Sequence, residues 1–226
     1  MRLILLHSPL IGPSAWLAVA AEAHERGFDI QLPAIPDLSL VPQPYYPVIG
    51  KGVARQINGK GPAALVVHSS AGGLAPSVVA AADGMIEQVV YADAILPHPG
   101  RSWLDTTGDQ FAAALRATAT DGLVPRWEEW FPPDSVAGMI DDPTARAVFR
   151  DELRPTPLAF LEEVAPDLDL PDEVAWSYLR FSRAYENEAA HARSLGRPTL
   201  REDLSHLAMF THPEEVMTAI SNLVRG

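Results

Sequence analysis

The sequence predicts an α/β protein with a mostly parallel sheet flanked by helices, and three observations carry that expectation. Five short apolar runs recur along the chain, helical segments lie between them, and one proline-broken stretch without strand signals separates the fourth run from the fifth. Strands that alternate with helices build a parallel sheet wrapped by its crossovers.

The runs RLILLH (2–7), FDIQLP (28–33), AALVVHS (63–69), EQVVYADA (87–94) and VAWSYLRFS (174–182) are brief, β-branched or aromatic, and bounded by turn residues, as strands are. Most lack polar alternation, which fits strands covered on both faces. PTLRE (198–202) is a weaker sixth strand. SAWLAVAAEAHERG (14–27) reads as an amphipathic helix with Ser14 as its N-cap and Gly27 at its end. GGLAPSVVAAAD (72–83) is small and apolar throughout, suited to a helix buried on the sheet. PEEVMTAISNLVRG (213–226) opens with proline and two carboxylates and closes with Arg and Gly, each placed where the helix end prefers it. Residues 100–172, with RWEEWFPPDS, DDPTARAVFRDEL and PLAFLEEVAPDLDLPDE, read as short helices between prolines. They form a helical cap insertion over the sheet's carboxyl edge, leaving 1–99 and 173–226 as the core.

Composition narrows the function classes. In 226 residues, 47% are apolar and 20% charged, ordinary for a globular protein with a full core. The net charge of −12 opposes nucleic acid and anionic membranes, both of which need basic patches. The absence of cysteine removes disulfides, thiolate metal sites and a Cys nucleophile. The apolar N-terminus resembles a secretory leader only superficially, because His7, Pro9 and Pro13 interrupt it. A buried first strand in a cytoplasmic protein is the expectation. No dinucleotide-binding, phosphate-loop or zinc-protease motif occurs, so no cofactor and no metal are expected.

Three stretches carry chemistry: LLHSPLIGPSAW near the start, LVVHSSAGGLAP in the middle and HLAMFTHPEEV near the end. Together they resemble the α/β-hydrolase superfamily over nearly the whole chain. The resemblance implies an α/β-hydrolase fold with a small cap. It also implies an oxyanion loop after the first strand, a nucleophile on a tight strand-to-helix turn, and a catalytic His ahead of the last helix. Ser69 and Ser70 both fit the nucleophile. Ser69 has the common His-Ser dipeptide and Ser70 the better small residue after it, and Ser69 is favoured. The Ser70 backbone N–H then serves the oxyanion. His206 is the expected base, His7 a residue that steadies the loop, and His212 a structural neighbour of the last helix.

Two positions depart from the family pattern. The usual acid position falls near Ala184, so the carboxylate that orients His206 is expected to be Asp93, with Glu186 second and Glu188 close by. Pro9 stands where relatives supply a backbone N–H, leaving Leu10 to provide it if the loop shifts by one. Trp127, Trp130 and Phe131 read either as a pocket wall or as fasteners of the cap, and Tyr185 as a hydroxyl donor to substrate or as packing. The implied activity is hydrolysis of a small, mostly apolar ester, lactone or thioester by a serine. A non-hydrolytic lyase or cyclase on the same fold, or a non-catalytic ligand-binding receptor, is the alternative. A small-molecule substrate is the expected partner, and a second copy in a homodimer the remaining one.

Overall fold

The computed structural model describes residues 1–59 and 61–225. Its elements in chain order begin with β1 (Arg2–Leu6), α1 (Leu17–Glu25), β2 (Asp29–Gln31), α2 (Tyr45–Ala54), β3 (Ala63–Ser69), α3 (Ala75–Ala81) and β4 (Ile86–Ala94). Next come α4 (Asp109–Ala117), β5 (Leu123–Val124), α5 (Pro143–Glu152), β6 (Thr156–Pro157) and α6 (Leu158–Glu162). The chain closes with β7 (Ala175–Arg180), α7 (Glu186–Ser194), β8 (Thr199–Arg201), α8 (Ala208–Thr211) and α9 (Pro213–Arg225).

Six strands form one sheet in the order β2-β1-β3-β4-β7-β8, and every pairing in it is parallel. The central strands β1 and β3 are buried at every residue, which explains their unbroken apolar sequences. Helices flank the sheet in two packed pairs, α1 with α9 and α2 with α3. The chain reverses its direction of winding between β1 and β3, and in open α/β sheets such a switch point opens a crevice at the strands' carboxyl ends.

Several expected boundaries change, each for a physical reason. The strands expected at 28–33 and 174–182 shorten to Asp29–Gln31 and Ala175–Arg180, because their flanks leave the ladder to form loops. The first helix does not start at Ser14. A 3₁₀ turn spans Pro13–Trp16, and Ser14 spends its N–H and hydroxyl on Glu152 of α5 rather than capping a helix. The helix expected at 72–83 likewise begins as a 3₁₀ turn at Ser70–Leu74. Residues 100–172 are not wholly helical: β5 and β6 pair there as a short antiparallel ribbon. Gly226, expected to close the last helix, lies outside the described residues. Among the described residues no helix is long and apolar enough to cross a membrane.

Helix α2 lies where Pro47, Gly50 and Gly52 give the sequence little helical signal. Tertiary packing supplies the reason for one of those glycines. A Cβ at Gly50 would lie 2.5 Å from the Ser77 carbonyl oxygen of α3, so the two helices touch backbone to backbone. Gly52 meets nothing within 4 Å. Gly50→Ala is therefore expected to cost about 1–3 kcal/mol by overpacking. Gly52→Ala, one turn face away, is expected to be neutral or stabilising by up to about 1 kcal/mol. Urea unfolding of the two variants checks the contrast.

Candidate active site

The site is assembled where β1, β3, β4, β7 and β8 end. At the end of β3 the chain turns sharply: Ser69 adopts φ +57°, ψ −129°, a conformation that non-glycine residues rarely hold. The turn is tight enough that a Cβ at Gly72 would sit 1.9 Å from the Ile95 carbonyl oxygen just past β4. Small residues are thus demanded three positions after Ser69, whereas Val67 is absorbed into the ladder opposite Tyr91.

The two serines part at this turn. Ser69 lines a cavity of about 350 Å³, and its Oγ lies 3.3 Å from the Tyr185 hydroxyl. Ser70 turns the other way, with its Oγ 2.6 Å from Ser8 Oγ on the loop after β1. Leu10 N–H also donates to Ser8 Oγ, at 3.2 Å, so Ser8 is the hub of that loop. His7 steadies it from behind: Nδ1–H donates to the Ser8 carbonyl and Nε2 accepts from Ile35 N–H. Pro9 contributes no donor.

Asp93 is placed by a bulge. In the β3–β4 ladder His68 pairs with Ala92 and Ser69 with Ala94, leaving Asp93 as the extra residue, at φ +45°. Bulges re-aim a side chain, and Asp tolerates the left-handed region better than most residues. The carboxylate is fully buried, yet its oxygens accept four hydrogen bonds. Oδ1 takes Phe181 N–H (2.8 Å) and Ser182 N–H (2.9 Å), and Oδ2 takes Ser182 Oγ–H (2.6 Å) and His206 Nδ1–H (2.8 Å). Such donors offset the large cost of burying the charge.

His206 is held on the other sides by rings. Tyr185 stacks on it at 5.0 Å and 11°, His68 lies 4.5 Å away, and Trp127 6.1 Å away. The His68 Nε2–H donates to the His206 carbonyl at 3.0 Å. Burial, reinforced by neighbouring His206, holds the His68 pKa well below 6.5, so His68 is a neutral brace. Ser69 Oγ is bonded to Tyr185 rather than to His206, although both Ser69 and His206 face the same cavity.

Glu186 makes no bond to His206. Its carboxylate lies 2.9 Å from Arg193 and 3.0 Å from Arg180, and the hydrogen bond from Arg193 holds its pKa below the usual range. Arg180 is itself fully buried and also binds Asp203 at 2.8 Å, tying the end of β7 to the loop that carries His206. Glu188 is half-buried near Asp93, and burial raises its pKa. His212 sits at the start of α9, its Nδ1 2.8 Å from Thr211 Oγ1. Sequence reasoning passed over Ser8, His68, Arg180 and Ser182. Only the buried charge of Arg180 within an apolar strand left a local trace.

The cavity's remaining walls are Leu10, Trp103, Phe111, Trp127, Trp130, Phe131 and Met139, with Thr107, Ser135 and Ala184. Trp127, Trp130 and Phe131 therefore form a pocket wall, and Trp127 also packs on Phe149. Among the described residues, no Asp, Glu, Lys or Arg lines this cavity. Among the described residues there is no group of three or more His, Asp or Glu arranged to hold a metal ion.

No family model matches this sequence, and no curated protein matches it. Solved structures do match. An extracellular α/β-hydrolase from a Paenibacillus species, described as homologous in structure and function to tobacco salicylic acid binding protein 2, is similar at TM-score 0.76 and 17% identity, over 99% of this chain and 98% of its own. A methylesterase from Arabidopsis is similar at TM-score 0.71 and 15% identity, over 100% and 99%. Methylketone synthase I from tomato, solved with 2-tridecanone, is similar at TM-score 0.73 and 14% identity, over 99% and 97%. The chain has the α/β-hydrolase fold.

His7, His68 and His98 all have pKa values lowered from 6.5, chiefly by burial. The unfolded chain therefore binds more protons than the folded one below about pH 6.5. Stability from these imidazoles is complete above that value and is lost as pH falls toward their folded pKa values. Thermal unfolding should show Tm falling between about pH 7 and pH 5, with a shallower fall in His68→Gln. An unchanged slope in that variant would show that His68 takes up its proton without cost.

Proposed function

We propose that this protein is a serine hydrolase in which Ser69 attacks, His206 moves the proton and Asp93 orients His206. The observation that carries the reading is the 2.8 Å bond from His206 Nδ1 to a fully buried, fully hydrogen-bonded Asp93, beside a serine on a strained turn. A carboxylate so placed fixes the tautomer that leaves Nε2 free to accept the serine proton, and it stabilises the imidazolium that follows. Ser69 Oγ would add to the substrate carbonyl while its proton passes to His206. Collapse would then return that proton to the leaving oxygen, and water would release the acid by the same route.

The cavity lining, rich in aromatic side chains and without Asp, Glu, Lys or Arg among the described residues, supports a small, uncharged, mostly apolar ester, lactone or thioester as substrate. In this reading residues 100–172 act as the cap, because Trp103, Phe111, Trp127, Trp130, Phe131 and Met139 all belong to them. Among the solved structures of similar fold, the Arabidopsis protein is named a methylesterase and the Paenibacillus protein a hydrolase, which agrees with this reading.

One observation favours a second reading, a lyase or cyclase using the same groups in acid–base roles. Ser69 Oγ is hydrogen-bonded to Tyr185 and not to His206, so the serine is not paired with the histidine as a nucleophile with its base would be. Labelling with a fluorophosphonate, read by peptide mass spectrometry, separates the two. The hydrolase reading expects the label on Ser69, none in Ser69→Ala, and loss of ester turnover in that variant. Asp93→Asn should lower kcat by about 10³–10⁴-fold. Full turnover by Ser69→Ala would favour the acid–base reading and reject the hydrolase. Retained ligand binding with no turnover in the unmodified protein would indicate a receptor.

A further inference from the structure

Resting on the serine-hydrolase reading, we infer that the Tyr185 hydroxyl is a catalytic donor to the oxyanion, replacing the backbone donor that Pro9 lacks. An acyl-transfer site needs hydrogen-bond donors already aimed at the oxygen that gains charge, because losing one costs about 10²–10³-fold in rate. The loop after β1 commonly supplies one of them, but in this chain that loop, although Leu10 lines the cavity, has its nearby donors missing or engaged. Pro9 has no N–H, Leu10 N–H donates to Ser8 Oγ, and Ser8 Oγ pairs with Ser70 Oγ at 2.6 Å. The Ser70 N–H next to the turn is then the remaining main-chain donor of the reading.

Tyr185 occupies the gap. It lines the same cavity as Ser69, and its hydroxyl is, among the described residues, the one group hydrogen-bonded to Ser69 Oγ, at 3.3 Å. The acyl carbonyl oxygen is two bonds from Oγ in the tetrahedral adduct, which puts it within hydrogen-bond range of a donor so placed. The ring is anchored: it stacks on His206 at 5.0 Å and 11°, and the residue closes the 3₁₀ turn Arg183–Tyr185, which leads into α7 directly after the Ser182 that grips Asp93. Burial raises the phenol's pKa far above its ordinary value, so it stays protonated and acts as a donor, not as a base.

The step balances without Tyr185 losing its proton. The Ser69 Oγ–carbon bond forms and the carbonyl π pair moves to oxygen. His206 takes the serine proton, and Tyr185 O–H strengthens its hydrogen bond to the new oxyanion. When the carbonyl re-forms, the leaving oxygen departs with the proton from His206 and the Tyr185 bond relaxes.

Tyr185→Phe keeps the ring on His206 and removes only the hydroxyl. With a p-nitrophenyl ester, kcat should fall about 10²–10³-fold while KM stays within about twofold. The acid limb of the kcat/KM pH profile should not move. An aryl trifluoromethyl ketone, which forms an oxyanion adduct with the serine, should lose affinity by a similar factor, whereas the matching methyl ketone should bind equally to both proteins. Wild-type kcat in Tyr185→Phe, or equal losses for the two ketones, would overturn the donor role while leaving Ser69 as nucleophile. Unmodified protein that is neither labelled at Ser69 by a fluorophosphonate nor inactivated by Ser69→Ala would overturn the underlying hydrolase reading, and the donor role with it.

Discussion

The whole site depends on a single buried charge. Asp93 has no exposed surface, and in an apolar sheet edge an ionised carboxylate is tolerable only if every lone-pair direction meets a donor. Three of its four donors come from the turn after β7, at Phe181 and Ser182, and the fourth is His206. Satisfying Asp93 therefore pins the ends of β4 and β7 and the loop beyond β8 to one another. The site's geometry follows from meeting that electrostatic demand.

Further contacts, some of them outside the cavity, keep those pieces in place. Arg180, buried in β7, reaches Glu186 at the start of α7 and Asp203 two residues past β8. Backbone bonds from Glu202 to Arg180 and from Leu204 to Phe181 run alongside it. Losing one partner from such a network strands a buried cation, which is far costlier than losing an exposed pair. His68 braces the His206 backbone, and Tyr185 and Trp127 bracket the ring. The imidazole is thus oriented by a carboxylate on one edge and by aromatic faces on its sides. The loop after β1 is fastened separately, by His7 from below and by Glu152 of α5, which takes the N–H and hydroxyl of Ser14. Glu163, just past α6, binds the first N–H groups of α2. Carboxylates from the segment between β4 and β7 thereby cap two helical starts in the rest of the chain.

Much of the architecture was legible because the local signals are strong and periodicity-independent. Runs such as LILL and ALVV are short, apolar on both faces and bounded by turn residues, as a central parallel strand requires. The 3₁₀ turn in place of the helix start at Ser14 was not legible, since a serine before an apolar run looks the same whether its hydroxyl caps a helix or binds a glutamate far along the chain. Helix α2 was hidden for a related reason: Gly50 weakens local helix propensity but permits contact with α3. The short β5–β6 ribbon contains Pro157 and only two residues per strand, too little for any period to register.

For the site, sequence alone determined the residue types available. It offered a doubled serine where an apolar strand meets small residues, a histidine ahead of the last helix, a carboxylate ending an apolar strand, and a proline where a donor is wanted. Sequence also ranked Asp93 above Glu186, because a lone Asp in an apolar strand demands partners. Only tertiary structure decided which groups meet. The one-residue bulge that turns Asp93 out of the pleat depends on register with β3, and the donors of Ser182 are brought to it by the β4–β7 pairing. The separation of Ser69 from Ser70 depends on one positive φ, and a backbone angle imposed by packing has no spelling in the chain.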